Sequence, residues 1–116
     1  MIIKDKKVKV RFDDAVVINH DALMLKVEIA HCLISEYRLC EFSIAQFIKN
    51  DLATICNIDG FTLEDIIDRL GVAEIDLDSA EIRFPSQLFD DKHYITVGFD
   101  GQFMDLEHLK YVEIGE

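Results

Sequence analysis

Residues 74–84 read EIDLDSAEIRF, and their acids fall on alternate positions. In an extended chain Glu74, Asp76 and Asp78 share one face, while Ile75 and Leu77 share the other. Carboxylates at D-x-D spacing open a calcium loop, which also needs glycine at its sixth position and glutamate at its twelfth. Counted from Asp76, those places hold Glu81 and Gln87, so the loop is incomplete. His20, His31, His93 and His108 show neither HExxH nor a pairing with cysteine at zinc-ligand spacing. His31-Cys32 offers a base beside a thiol, but helix neighbours point about 100° apart and no third residue orients them. GxSxG, Walker and GxGxxG loops are all missing. No catalytic, cofactor-binding or metal-binding residue is assigned, and the chain reads as non-enzymatic. A small hydrolase with paired carboxylates is kept as an alternative, because acids are abundant and pairing in space is invisible in a sequence.

The same carboxylates have a second use, as a charged surface. Over 116 residues the formal net charge is -11, and its distribution is lopsided. Residues 1–58 carry eight acids and eight bases; residues 59–116 carry fifteen acids and four bases. The chain opens basic, with Lys4, Lys6, Lys7, Lys9 and Arg11 against Asp5. Direct nucleic-acid binding through that basic start is disfavoured, since the rest of the chain repels a polyanion. A better account of Lys7, Lys9 and Arg11 is that they face an acidic strand such as residues 74–78 across a sheet, or face water.

Half of the residues are hydrophobic and 30% are charged, a globular balance for a single domain over residues 1–116. Cys32, Cys40 and Cys56 are an odd number without CxxC, and they are expected as small buried hydrophobes in a reducing compartment. The start MIIKDKKVKV has no signal-peptide h-region, and no apolar run reaches membrane-spanning length, so a soluble cytoplasmic protein is expected.

These residues must be positioned by a short list of elements. KKVKVRF alternates as a strand with Val8, Val10 and Phe12 inward; Asp13-Asp14 offers a turn, and AVVI a returning strand, giving an N-terminal hairpin. From Asn19 or Asp21, the stripe Leu23, Val27, Ala30, Ile34 and Tyr37, widened by Met24, His31 and Leu33, predicts a first helix. Ser43 to Gln46 fits a capping box with a Phe42 to Phe47 staple, predicting a second. Thr62 before LED, with Gly71 as a stop, predicts a third. Beyond Gly71 the period becomes two. The parity flip within residues 78–80 demands a turn or bulge, and Pro85 opens a connection. Strands are then expected over 93–99, over QFMDLEH after the Asp100-Gly101 turn, and over LKYVEI. The fold class is α+β: an N-terminal β-hairpin, three central helices and a C-terminal antiparallel β-meander.

With its acidity, free cysteines and acidic β-rich end, exemplified by EIDLDSAE and FDDKHYITVGFDGQFMDLE, the whole chain resembles the small acidic immunity proteins of bacterial contact-dependent and other polymorphic toxin systems. Those proteins share no common motif, so no residue role is carried over. The resemblance implies an antidote that binds a cognate basic toxin domain, often a nuclease. Charge and aromatic content nominate the partner-binding residues: Glu74, Asp76, Asp78, Glu81, Asp90, Asp91, Asp100, Asp105 and Glu107, with Phe89 and Tyr94 as anchors. The protein is expected to need no cofactor and to be a monomer or small homo-oligomer. A regulator that mimics nucleic acid and occupies a DNA-binding protein is the other alternative.

Overall fold

A computed structural model describes residues 1–13 and 19–116. The chain begins with strand β1 (Ile2–Asp5), turns at Lys6 and Lys7 with Lys6 at a φ of 47°, and returns as β2 (Val8–Arg11). The N-terminal hairpin therefore forms one strand earlier than the alternation suggested. The returning strand expected over AVVI lies outside the described residues. Three helices follow, α1 (His20–Leu39), α2 (Glu41–Leu52) and α3 (Leu63–Leu70). Strands β3 (Ala73–Asp76), β4 (Glu81–Arg83), β5 (Tyr94–Phe99) and β6 (Leu109–Gly115) complete one six-stranded sheet in sequential order. All neighbouring pairs are antiparallel except β2 and β3. That parallel pair is spanned by the helical crossover that parallel geometry requires.

Local chemistry accounts for the helix starts unequally. Asn19 caps α1 by accepting from the Ala22 N–H at 2.8 Å. Thr62 and Asp65 form the reciprocal capping box of α3, at 3.1 and 2.9 Å. The box expected at Ser43 to Gln46 is not used: α2 starts three residues earlier, with Cys40 at its N-cap and no side-chain cap. Only Cys40 separates α1 from α2, and its N–H is taken by the Glu36 and Tyr37 carbonyls. Ser43 and Gln46 are thus inside a helix, and Phe42, expected to staple, is exposed.

The helices cover one sheet face and form one core with it. Val8, Val10, Ile75, Ile82, Phe84, Ile95 and Val97 from the sheet meet Leu33, Ile34, Ile44, Ile48, Leu52, Ile66 and Leu70 from the helices. Along α1 the buried residues are Ala30, Leu33, Ile34 and Tyr37, whereas Met24 and His31 are exposed. Among the cysteines Cys40 is buried, Cys56 half-buried and Cys32 exposed, so burial fits only part of the set.

The β-rich end holds one expectation met and one correction. EIDLDSAEIRF is a hairpin: β3 and β4 pair antiparallel through a turn at residues 77–80, where Ala80 takes a φ of 55°. QFMDLEH forms a loop instead of a strand. Asp105 there accepts from the Glu107 and His108 N–H groups, its carboxylate holding the backbone in a turn, while Met104 is fully buried. LKYVEI, as β6, pairs directly with β5.

The uncovered sheet face has its own packing rule. Tyr94 stands opposite Gly115 and Tyr111 opposite Gly98. Each ring lies flat on its glycine: a Cβ at Gly98 would stand 2.2 Å from the Tyr111 ring, and one at Gly115 2.4 Å from the Tyr94 ring. Gly98→Ala is expected to lower stability by about 1–3 kcal/mol, a cost of overpacking. In urea titrations the same change made in a Tyr111→Ala background should cost much less.

Candidate protein-docking surface

The uncovered face brings the carboxylates of the opening stretch together with the basic start of the chain. Register places Lys4, Lys9, Glu74, Arg83, Thr96 and Glu113 in one row across the six strands, and Ile2, Arg11, Asp76, Glu81, Gly98 and Tyr111 in the next. Cross-strand neighbours are therefore mostly of opposite sign, as the alternation of Lys7, Lys9 and Arg11 implied. Arg11 approaches Glu74 at 3.9 Å. Arg83 reaches Asp76 at 3.3 Å and Glu81 at 2.8 Å, and so separates two acids that stand directly opposite each other. Four cations face four carboxylates across this ladder. Exposed pairs of this kind contribute about 0–1 kcal/mol each, so their main effect is to cancel charge.

Hydrogen bonds hold Glu81 and Asp78 ionised. The Tyr111 hydroxyl donates to Glu81 at 2.8 Å and is the main reason its carboxyl lies below the ordinary 4.5, with help from Ser79 and Arg83. Asp78 leaves the ladder at the β3–β4 turn. It accepts from the Asp13 N–H at 2.7 Å and pairs with Lys26 at 3.2 Å; the backbone bond leads in holding it below 3.8. Of the residues nominated for partner binding, Glu74, Asp76, Asp78 and Glu81 are thus all engaged within the molecule.

The remaining nominees divide between scaffolding and open surface. Asp90 accepts from the His93 backbone N–H at 3.0 Å and from the side chain of Gln87 at 3.1 Å. With the His93 ring beside it, its carboxyl lies far below the carboxylate range. Phe89 is half-buried with its ring 6.4 Å from that of Phe61. Tyr94 donates to Glu113 at 3.0 Å. Asp105 pairs with His108 at 2.7 Å, which lowers the acid and raises the imidazole. Asp91, Asp100 and Glu107 are exposed and have no ion pair among the described residues.

A second surface, unforeseen from the sequence, lies on the helical side. At the joint of α1 and α2, Leu39 is 81% exposed and Phe42 53%, and the 100–108 loop adds Leu106 at 50%. The loop is fastened to this joint by the Met104 N–H, which donates to Glu36 at 3.3 Å. Two shallow depressions flank the first turn of α2. One, of about 290 Å³, is lined by Glu41, Phe42, Glu64, Ile67 and Asp68; the other, of about 430 Å³, by Ser43, Asp105, Leu106 and Glu107. Arg38 and Lys7 lie close enough to Glu41 to draw its carboxyl down, but burial lifts it more. Glu64 and Asp68 have no ion pair among the described residues, and as like charges four positions apart they strain α3 slightly. The signal that could have exposed this surface is Glu64, Asp65 and Asp68 on the polar side of a short amphipathic helix, next to a phenylalanine without a burying partner.

Among the described residues no group of three His, Cys, Asp or Glu side chains converges to hold a metal, and no helix is long and apolar enough to cross a membrane. No protein-family model matches the chain, and no characterised protein or solved structure shows significant similarity to it.

The β3–β4 hairpin has a pH signature. Glu81 and Asp78 have folded values below their ordinary 4.5 and 3.8, so their stabilising contribution is complete above those values. It is lost as pH falls through the lower, folded ones. Urea midpoints should therefore drop between pH 5 and about pH 3, and Tyr111→Phe should make that drop shallower while leaving the neutral-pH slope unchanged.

Proposed function

We propose that this chain is a non-enzymatic binding protein, an immunity protein that neutralises a cognate basic toxin domain in the cytoplasm, a nuclease being the concrete case. The observation that carries the reading is where the charge goes. The sheet face cancels its own acids, so the net charge of -11 belongs mainly to helices and loops, and part of it, at Glu41, Glu64, Asp68 and Glu107, borders exposed Phe42 and Leu106. Acidic rims around apolar side chains supply what association needs: charge steers encounter and excludes like-charged partners, while buried apolar anchors provide contact energy. A basic nuclease domain presents the complementary surface, because it must hold a polyanion. Covering that surface would block substrate access without any chemistry by the antidote.

The test is to combine the purified chain with any toxin domain encoded beside its gene. A one-to-one complex should form, abolish toxicity on co-expression, and associate about tenfold or more slowly at 500 mM than at 50 mM salt. Free DNA should compete only if the docked face overlaps the nuclease cleft. Failure to form a complex, or a complex indifferent to salt, would overturn the reading.

A further inference from the structure

We infer that the saddle of Leu39, Phe42 and Leu106 is the docking surface itself, and that its occupant is a cationic amphipathic segment of a partner protein. The segment sets a bulky apolar side chain against Phe42 and directs lysines or arginines to Glu64 and Asp68 on one flank and Glu107 on the other. The inference rests on the protein-binding reading and gives it a location different from the carboxylate row of β3 and β4.

Three observations support this surface. First, it combines exposed apolar groups with carboxylates that have no ion pair among the described residues, whereas every acid of the sheet ladder has a cation or a tyrosine hydroxyl beside it. Second, the apolar part is held rigidly: Leu39 and Phe42 flank the one-residue joint at Cys40, whose N–H bonds back to α1, and Leu106 follows the buried Met104. A rigid anchor site loses little entropy on binding. Third, the flanking depressions are shallow and acidic, matching long cationic side chains rather than a small enclosed ligand. A second copy of this chain is a poor occupant, because each copy carries -11 and the two repel before they meet.

The experiment is an NMR amide-shift titration of the full chain with two synthetic probes: a helical lysine-leucine amphipathic peptide of sixteen residues and an oligolysine of equal charge. The amphipathic peptide should bind saturably and shift amides around Phe42, Leu106 and the polar side of α3. Phe42→Ser should weaken it about tenfold, as loss of an interface anchor does, and leave oligolysine binding unchanged. Glu64→Lys combined with Asp68→Lys should weaken both probes. These side chains are exposed, so the variants should keep the wild-type fold, verified by their unperturbed core resonances.

Shifts centred on Arg83, Thr96 and Tyr111 would overturn the proposal. So would equal shifts at every carboxylate with either probe, which is attraction by charge alone, or concentration-dependent shifts at Phe42 without peptide, which is self-association. If the probe maps to the saddle but the neighbouring toxin domain does not bind, the surface stands and the toxin assignment falls. If the toxin binds while Phe42→Ser and the α3 reversals leave its affinity intact, the reverse holds.

Discussion

The parallel pairing of β2 with β3 is the constraint on which the rest of the molecule depends. It sets Val8 beside Ala73 and Val10 beside Ile75, and it is extended at both ends by the Ala73 N–H donating to the Lys7 carbonyl and the Leu77 N–H to that of Arg11. Parallel strands cannot be joined by a tight turn, so the chain between them must cross over. Here it does so as three helices packed on one face. The other face remains open, and the fold becomes two layers around the cluster that includes Ile75, Ile82 and Ile48.

The same register decides the electrostatics. A strand that starts basic is laid beside one that starts acidic, so Lys9 faces Glu74 and Arg11 faces Asp76. A shift of one residue would turn the apolar side chains outward and the charges into the core. Burial of Val10 and Ile75 therefore fixes the charge pairing, and the pairing is a consequence of the hydrophobic pattern rather than its cause. Arg83 then completes the neutralisation from β4. Most of the charge left over is on segments that this pairing does not reach, among them α3 and the loops around 88–91 and 100–107.

How much of this was legible in the sequence depended on whether the signal was local. The capping box at Thr62, the cap at Asn19 and the alternation of β2 and β5 each arise from residues within one turn or strand, and they read correctly. The parity flip near Asp78 located the β3–β4 turn for the same reason. Signals that depend on distant partners misled. Ser43 to Gln46 has the composition of a helix start, but the chain was already helical from Glu41 because the joint at Cys40 satisfies its own backbone. Asp100-Gly101 does turn, with Gly101 at a φ of 62°, yet QFMDLEH does not return as a strand. Asp105 claims the following N–H groups, and Met104 is drawn into the core beside Glu36. The acidic row was visible as residues, but its cancellation required knowing that β3 lies next to β2, about sixty residues back in sequence.

The helical surface shows why a count of carboxylates is a weaker guide than their partners. Solubility alone explains acids scattered on a surface, and it is served equally well by acids that are paired. It does not explain Glu64 and Asp68 held one helical turn apart in an eight-residue helix, where mutual repulsion works against folding by a few tenths of a kcal/mol. Nor does it explain three large apolar side chains left in water at a rigid joint. The position of Glu64 in the first turn of α3 offsets part of that repulsion, and an oppositely charged surface closing over the joint would relieve the remainder together with the apolar exposure. Where two unrelated imperfections share one remedy, recognition is the more economical account of the surface than solvation.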